Sequence, residues 1–153
     1  MTSQSPVTHD PHNLQRFVIA QAPVFDRVLA ELRAGKKRTH WMWFVFPQIA
    51  GLGKSSTAKH YAVKSHAEAA AYLAHAELGP RLREAAQASM TVADRSANEI
   101  FGDTDEHKLR SCATLFDTIE PNAVFDQLLA HFFEGIRDGA TIDALQRLPD
   151  PHQ

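Results

Sequence analysis

The chain has 153 residues, 44% hydrophobic and 22% charged, the mixture of one soluble globular domain large enough to bury a core. Sixteen Lys and Arg against eighteen Asp and Glu give a formal charge of -2, which disfavours a generally basic nucleic-acid binder. Cys112 is the single cysteine, so an intrachain disulfide and a cysteine-based zinc site are excluded.

Residues 1–9 are polar and read as a leader, with nothing of a signal peptide about MTSQSPVTHD. Asp10-Pro11 reads as N-cap and first helical residue, because proline lacks the N–H that a first turn leaves unpaired. Leu14, Phe17 and Val18 follow at helical spacing. Pro23 opens a second helix with Val24, Phe25, Val28, Leu29 and Leu32 on one stripe, and Gly35 closes it as the left-handed residue past the end.

The segment from Gly35 to Ser56 is unusual. A basic turn, Lys36-Lys37-Arg38, leads through Thr39-His40 into six large apolar residues, Trp41 to Phe46, which hold both tryptophans. That run is too short for periodicity to choose between a buried strand and a buried helical turn.

Helical signals then resume. Ser65 and Glu68 form a capping-box pattern ahead of the Ala-rich stretch 66–76, and Gly79-Pro80 restarts the chain as a helix near 80–90. Ser96 and Glu99 form a second box, opening a short helix that stops at Gly102. Thr104 caps the next helix, with Leu109, Cys112, Leu115 and Phe116 inward. Asn122 caps a segment closed by Gly135, and Thr141 caps a last short one with Ile142, Leu145 and Leu148 inward. The expected fold is all-α or mainly α, a compact single-domain bundle of about seven to eight short helices over 10–148, with a tail at 149–153.

Several constellations carry chemistry. Gly51-Leu52-Gly53-Lys54-Ser55-Ser56 invites a P-loop reading, but the pattern needs glycine where Gln48 stands. A looser anion site using backbone N–H groups and Lys54 asks less of the loop. Nine histidines include no HExxH pattern, so no metal is expected, and no cofactor motif is present. Cys112 lies on an inner stripe and reads as a buried, inert thiol.

His40 beside Trp41 and Trp43 could hold a flat anionic ligand, the indoles stacking and the basic turn supplying charge. The alternative is core packing closed by a histidine hydrogen bond. Glu99 and Asp105, near Lys108 and Ser111, have the ingredients of an acid/base or ribose site, and are equally ordinary helix-cap chemistry. Convergence of His40, Gln48, Glu99, Lys108 and Ser111 on one cleft would favour an enzyme.

The blocks His40–Gln48, Gly51–Ser55, Ala71-Tyr72-Leu73, Leu78–Leu82, Glu99–Gly102, Lys108–Ser111 and Thr114-Leu115-Phe116 closely resemble the bacterial domain-of-unknown-function family 1810, in order from about Asp10 to Leu145. The resemblance implies a compact, mainly α-helical single domain. Members are sometimes labelled calpastatin-like, although calpastatin inhibits through disordered segments and this sequence reads as folded. The family's usual Ser-Ser pair stands here as Ser111-Cys112, which removes the second hydroxyl. Its helical layout is similar to that of the NADAR group, associated with ADP-ribose and N-glycosidic chemistry, a likeness at the level of fold.

The leading expectation is a cytoplasmic protein binding a phosphorylated or ADP-ribose/nucleotide-like small molecule. Trp41 or Trp43 would stack the ring, and His40, Gln48, Lys54, Lys108 and Ser111 would line the site. As an enzyme it would be a hydrolase of an N-glycosidic or ADP-ribose-type substrate, with Glu99 or Asp105 catalytic. The alternatives are a protein-interaction or regulatory module docking an acidic partner through Lys36–Arg38, and third a weak nucleic-acid binder. No apolar run approaches the ~18 residues of a membrane span, and no feature sets an oligomeric state.

Overall fold

A computed structural model describes residues 10–148; the expected leader 1–9 and tail 149–153 lie outside the described residues. Its helices are α1 (Gln15–Gln21), α2 (Phe25–Arg33), α3 (Met42–Val45), α4 (Ser56–His60), α5 (His66–Ala74), α6 (Leu78–Ser89), α7 (Ala97–Ile119), α8 (Val124–Phe133) and α9 (Gly139–Arg147). Among the described residues there is no strand, and an isolated parallel bridge joins Ile49 to Val63. The fold is all-α, as expected. Among the described residues there are nine helices against the seven to eight expected: the aromatic run and the stretch after Ser55 add two short turns, and the two segments either side of Gly102 count as one, α7. α7 spans 23 residues but is broken at Gly102, where one short helix was expected to stop and the next to begin.

Local chemistry sets most boundaries. At the end of α2, Gly35 takes φ +74°, its N–H bonds Leu32 O and the Lys36 N–H bonds Glu31 O, the two bonds of a Schellman stop. Ser96 and Glu99 form the full reciprocal box at the start of α7. Gly102 leaves the helical conformation (φ +86°) where a stop was expected, but the chain resumes as helix at once.

Five expected caps are corrected, the first being Thr104, which lies within α7 rather than at a helix start. Asp10 does not begin α1: the chain first turns through Asn13 (φ +50°), and the Asp10 carboxylate accepts from Leu14 N and Gln15 N at 2.8 and 3.0 Å. The Ser65 pair is half a box. Its hydroxyl accepts from Glu68 N, while the Glu68 carboxylate accepts from Lys64 N instead. Asn122 lies in the left-handed region (φ +60°), leaving Ala123 at the α8 N-cap. Asp138 caps α9, and Thr141 donates to it through both N–H and hydroxyl.

One hydrophobic cluster runs from Leu14 to Leu145. α7 is its axis, packed against α3, α5, α8 and α9, while α6 lies on α2, α5 and α8. Aromatic rings cross the core in sequence: Phe17 to Tyr72 at 5.1 Å, Tyr72 to Phe116 at 5.4 Å and Phe116 to Phe125 at 5.6 Å. Their spacings suit tilted and edge-on pairing. Leu109, Cys112, Leu115 and Phe116 all face inward, as the α7 stripe requires. Of the α9 residues expected inward, Leu145 is buried while Ile142 and Leu148 are half-buried.

The loop between α3 and α5 is held by Arg16, whose guanidinium is withdrawn from water and uses all its donors. Nε bonds His60 O, one terminal nitrogen bonds His12 O and Asn13 O, and the other bonds Ala62 O and Glu68 Oε2 at 2.7 Å. Removing one partner of a buried pair leaves an uncompensated charge, here with several orphaned carbonyls as well. Arg16→Met is therefore expected to lower unfolding free energy by about 3–5 kcal/mol in urea titrations. A loss under about 1 kcal/mol would contradict this role for Arg16.

Candidate functional site

The site begins with a buried carboxylate. Glu31, on the inner side of α2, accepts from Arg38 N (2.7 Å), Thr39 N (3.1 Å), Thr39 Oγ1 (2.6 Å) and Trp41 Nε1 (2.9 Å). Burial raises its pKa, but the donors, led by the Thr39 hydroxyl, outweigh burial and hold the carboxyl at about 2. These bonds fold the 36–41 turn back onto α2 and draw the Trp41 indole inward.

The Trp41–Phe46 run is thereby resolved as a single helical turn. Trp41 is 1% exposed and packs near Phe46 and Phe101 at 6.2 and 6.5 Å. It was expected as a stacking surface, yet it offers no free face to a ligand. Trp43, two residues on, is half-buried and opens onto a groove of about 570 Å³. That groove is lined by His40, Trp43 and Phe44 on one side and by Ser56, Thr57, His60 and Tyr61 on the other. Its volume lies within the ~300–1,000 Å³ of small-molecule sites.

The second wall is positioned by backbone pairing and by Arg16. Val63 N bonds Gln48 O at 2.8 Å and Ala50 N bonds Val63 O at 2.7 Å, closing the 48–63 loop. Gly53 allows close approach to α4, since a Cβ there would lie 2.4 Å from that of Ala58. Ser55 caps α4 by accepting from Ala58 N. Tyr61 then packs 5.5 Å from Phe44, with the His60 imidazole edge-on to it at 4.6 Å.

Beside Trp43 lies a charge cluster. Asp105 pairs through one oxygen with Lys37 Nζ at 2.9 Å and through the other with Lys108 Nζ at 3.1 Å. The Lys37 ammonium is 5.0 Å from the Trp41 ring centroid, and that of Lys108 is 5.7 Å from Trp43. Lys36 and Arg38, the outer members of the basic turn, are exposed.

The five residues whose convergence would favour an enzyme do not all meet. His40 lines the groove, while Lys108 is not among its lining residues and reaches it only through Trp43, 5.7 Å from that ring's centroid. Gln48 contributes its carbonyl to the loop bridge, and Lys54 is exposed on the turn before α4. Ser111 is 1% exposed and bonds Thr141 Oγ1 at 2.7 Å beneath α9, so it cannot line the groove. Glu99 is exposed and engaged with Ser96, whose backbone N–H is the main cause of its lowered pKa. Phe44, Thr57, His60 and Tyr61 were not singled out as site residues by sequence, and Ser56 entered only as the last residue of the glycine loop. The one signal for the second wall is the short capped segment running from Ser55 to the His60-Tyr61 pair.

Elsewhere, Cys112 is wholly buried and burial pushes its thiol pKa well up, which suits an inert core residue. Among the described residues no three His, Cys, Asp or Glu side chains gather to hold a metal, and no helix is long and apolar enough to cross a membrane.

Fold and groove together define an all-α domain with an aromatic and histidine-lined recess. The chain belongs to the family described as protein of unknown function (DUF1810), which it matches over residues 11–145. It is also similar to the conserved hypothetical protein Rv1873 from Mycobacterium tuberculosis, known from a crystal structure. The two are 51% identical, with a TM-score of 0.87, over 90% of this chain and 99% of that one. No curated protein matches the chain.

The Glu31 pKa has a consequence in acid. Glu31 is held below the ordinary 4.5, so its contribution is complete above that pH and is lost as pH falls towards 2. Glu31→Gln is expected to cost about 1–3 kcal/mol at neutral pH. The gap from wild type should narrow in unfolding titrations between pH 4.5 and 2. A gap independent of pH would contradict the assignment.

Proposed function

We propose that the protein binds a phosphorylated small molecule carrying a flat ring, of the nucleotide or ADP-ribose-like kind, in the groove between α3 and α4. The observation that carries this reading is the groove's lining: three rings, Trp43, Phe44 and Tyr61, beside two imidazoles, His40 and His60, with the Lys108 ammonium over Trp43. Aromatic faces suit a planar ring, and histidine and lysine donors suit phosphate or ribose oxygens.

Binding is better supported than hydrolysis. Glu99 is engaged in a helix cap, and both Asp105 oxygens are held by ammonium groups. Neither is free in this arrangement to activate water or face a developing cation. A cytoplasmic setting, where phosphorylated metabolites are available and thiols stay reduced, fits the buried, unpaired Cys112. The reading as a docking module for an acidic partner keeps one supporting observation, the exposure of Lys36 and Arg38 beside the same turn.

Titration calorimetry with ADP-ribose, NAD and nucleoside monophosphates tests the proposal. Binding by one of them is expected, weakened roughly tenfold or more by Trp43→Leu, since stacking on an aromatic contributes ~1–3 kcal/mol per base. His40→Ala should weaken binding with little change in thermal stability, because His40 is exposed. No heat with any of these at millimolar concentration would overturn the reading.

A further inference from the structure

We propose that Asp105 is a displaceable internal counter-ion, and that the cluster it forms with Lys37 and Lys108 selects a phosphomonoester over the uncharged form of the same molecule. This inference rests on the groove reading above and adds the chemical class of its ligand.

The argument starts from charge. Two ammonium groups, with side chains only 8% and 16% exposed, share one carboxylate. Withdrawing an ammonium from water is costly unless an anion or another acceptor replaces the lost hydration. One carboxylate cannot neutralise both lysines, and the Trp41 and Trp43 rings compensate only part of the excess. Glu31, bonded to the Trp41 indole, is a second buried anion behind this cluster, but its oxygens are taken up by Thr39, the Arg38 N–H and the indole, and it pairs with neither lysine. Lys37 and Lys108 therefore share a single directly paired carboxylate, which leaves Lys108 able to take a second anionic partner.

The two lysines are not equivalent. Lys37 is the more buried, and its backbone N–H is tied to Ile100 O at 2.8 Å, so the Lys37–Asp105 pair anchors the 36–41 turn to α7. Lys108 is the more exposed, one helical turn from Asp105, with its ammonium over the tryptophan that forms part of the groove wall. A lysine head on a flexible stem can exchange a carboxylate for a phosphate without moving its backbone. A phosphate on a ring held in the groove takes Lys108 from Asp105, and Asp105 stays with Lys37. A neutral ligand gains nothing from this exchange.

The test compares adenosine with adenosine monophosphate by calorimetry on the full chain at low ionic strength. The monophosphate is expected to bind at least tenfold more tightly, an advantage that shrinks as salt rises. Lys108→Met, which keeps the apolar stem against Trp43, should bring the two ligands to within about threefold. Asp105→Asn removes the competitor and should widen the monophosphate's advantage over adenosine about three- to tenfold, a ratio in which any loosening of the Lys37 anchor acts on both ligands alike. Measurable but equal binding of both ligands, or a smaller preference for the monophosphate over adenosine in a folded Asp105→Asn, overturns the inference while the groove reading stands. Absence of binding by both ligands counts against the groove as a nucleotide site and takes this inference with it.

Discussion

Four hydrogen bonds to one carboxylate organise the half of this protein that holds the candidate groove. Glu31 collects donors from Arg38, Thr39 and Trp41, and so converts a basic turn into a fixed link between α2 and α3. The bond to Trp41 separates the roles of the two tryptophans. Residues two apart on a helical turn point roughly 200° away from each other. Once Trp41 is drawn into the core, Trp43 is directed to the outside. The same turn delivers Lys37 to Asp105, and the loop pinned by Arg16 supplies the facing wall. Recess, charge cluster and core packing all follow from where Glu31 places residues 36–41.

Residues 1–76 carry nine Lys and Arg against four Asp and Glu, and residues 77–153 carry seven against fourteen, an asymmetry that takes structural form. Among the described residues, two ion pairs connect the basic first half to the acidic second half, Arg33–Glu84 and Lys37–Asp105. Others, including Arg16–Glu68, Arg83–Glu120 and Arg137–Asp117, close within one half. The exposed pairs contribute little to stability in water. Arg16–Glu68 and Lys37–Asp105, both largely withdrawn from solvent, fix geometry instead, one at each wall of the groove.

Much of the scaffold was legible from local chemistry. Gly35 as a helix stop, the Ser96–Glu99 box and the inward stripe on α7 depend on neighbours within a few residues, and they stand as read. The failed caps share a cause. Asp10, Asn122 and Thr141 have the right side chains, but the backbone before each helix takes a turn that residue type alone does not specify. The site was half legible. His40, Trp43 and Lys108 were singled out, whereas Trp41 and Trp43 could not be told apart because a six-residue apolar run has no usable period. Ser111 looked available on its helix face and is covered by Thr141, thirty residues away. The Lys37–Asp105 pair joins residues far apart in sequence, where spacing carries no signal.

The central claim is that one tryptophan belongs to the core and the other to the site. It can be read from the two indole N–H resonances of isotopically labelled protein, one for each tryptophan. The Trp41 indole, bonded to Glu31, should exchange with solvent only through substantial unfolding and hold its position when adenosine monophosphate is added. The Trp43 indole should shift as the ligand binds. A ligand-induced shift confined to the protected Trp41 indole, or rapid exchange of that proton in the free protein, would contradict the account.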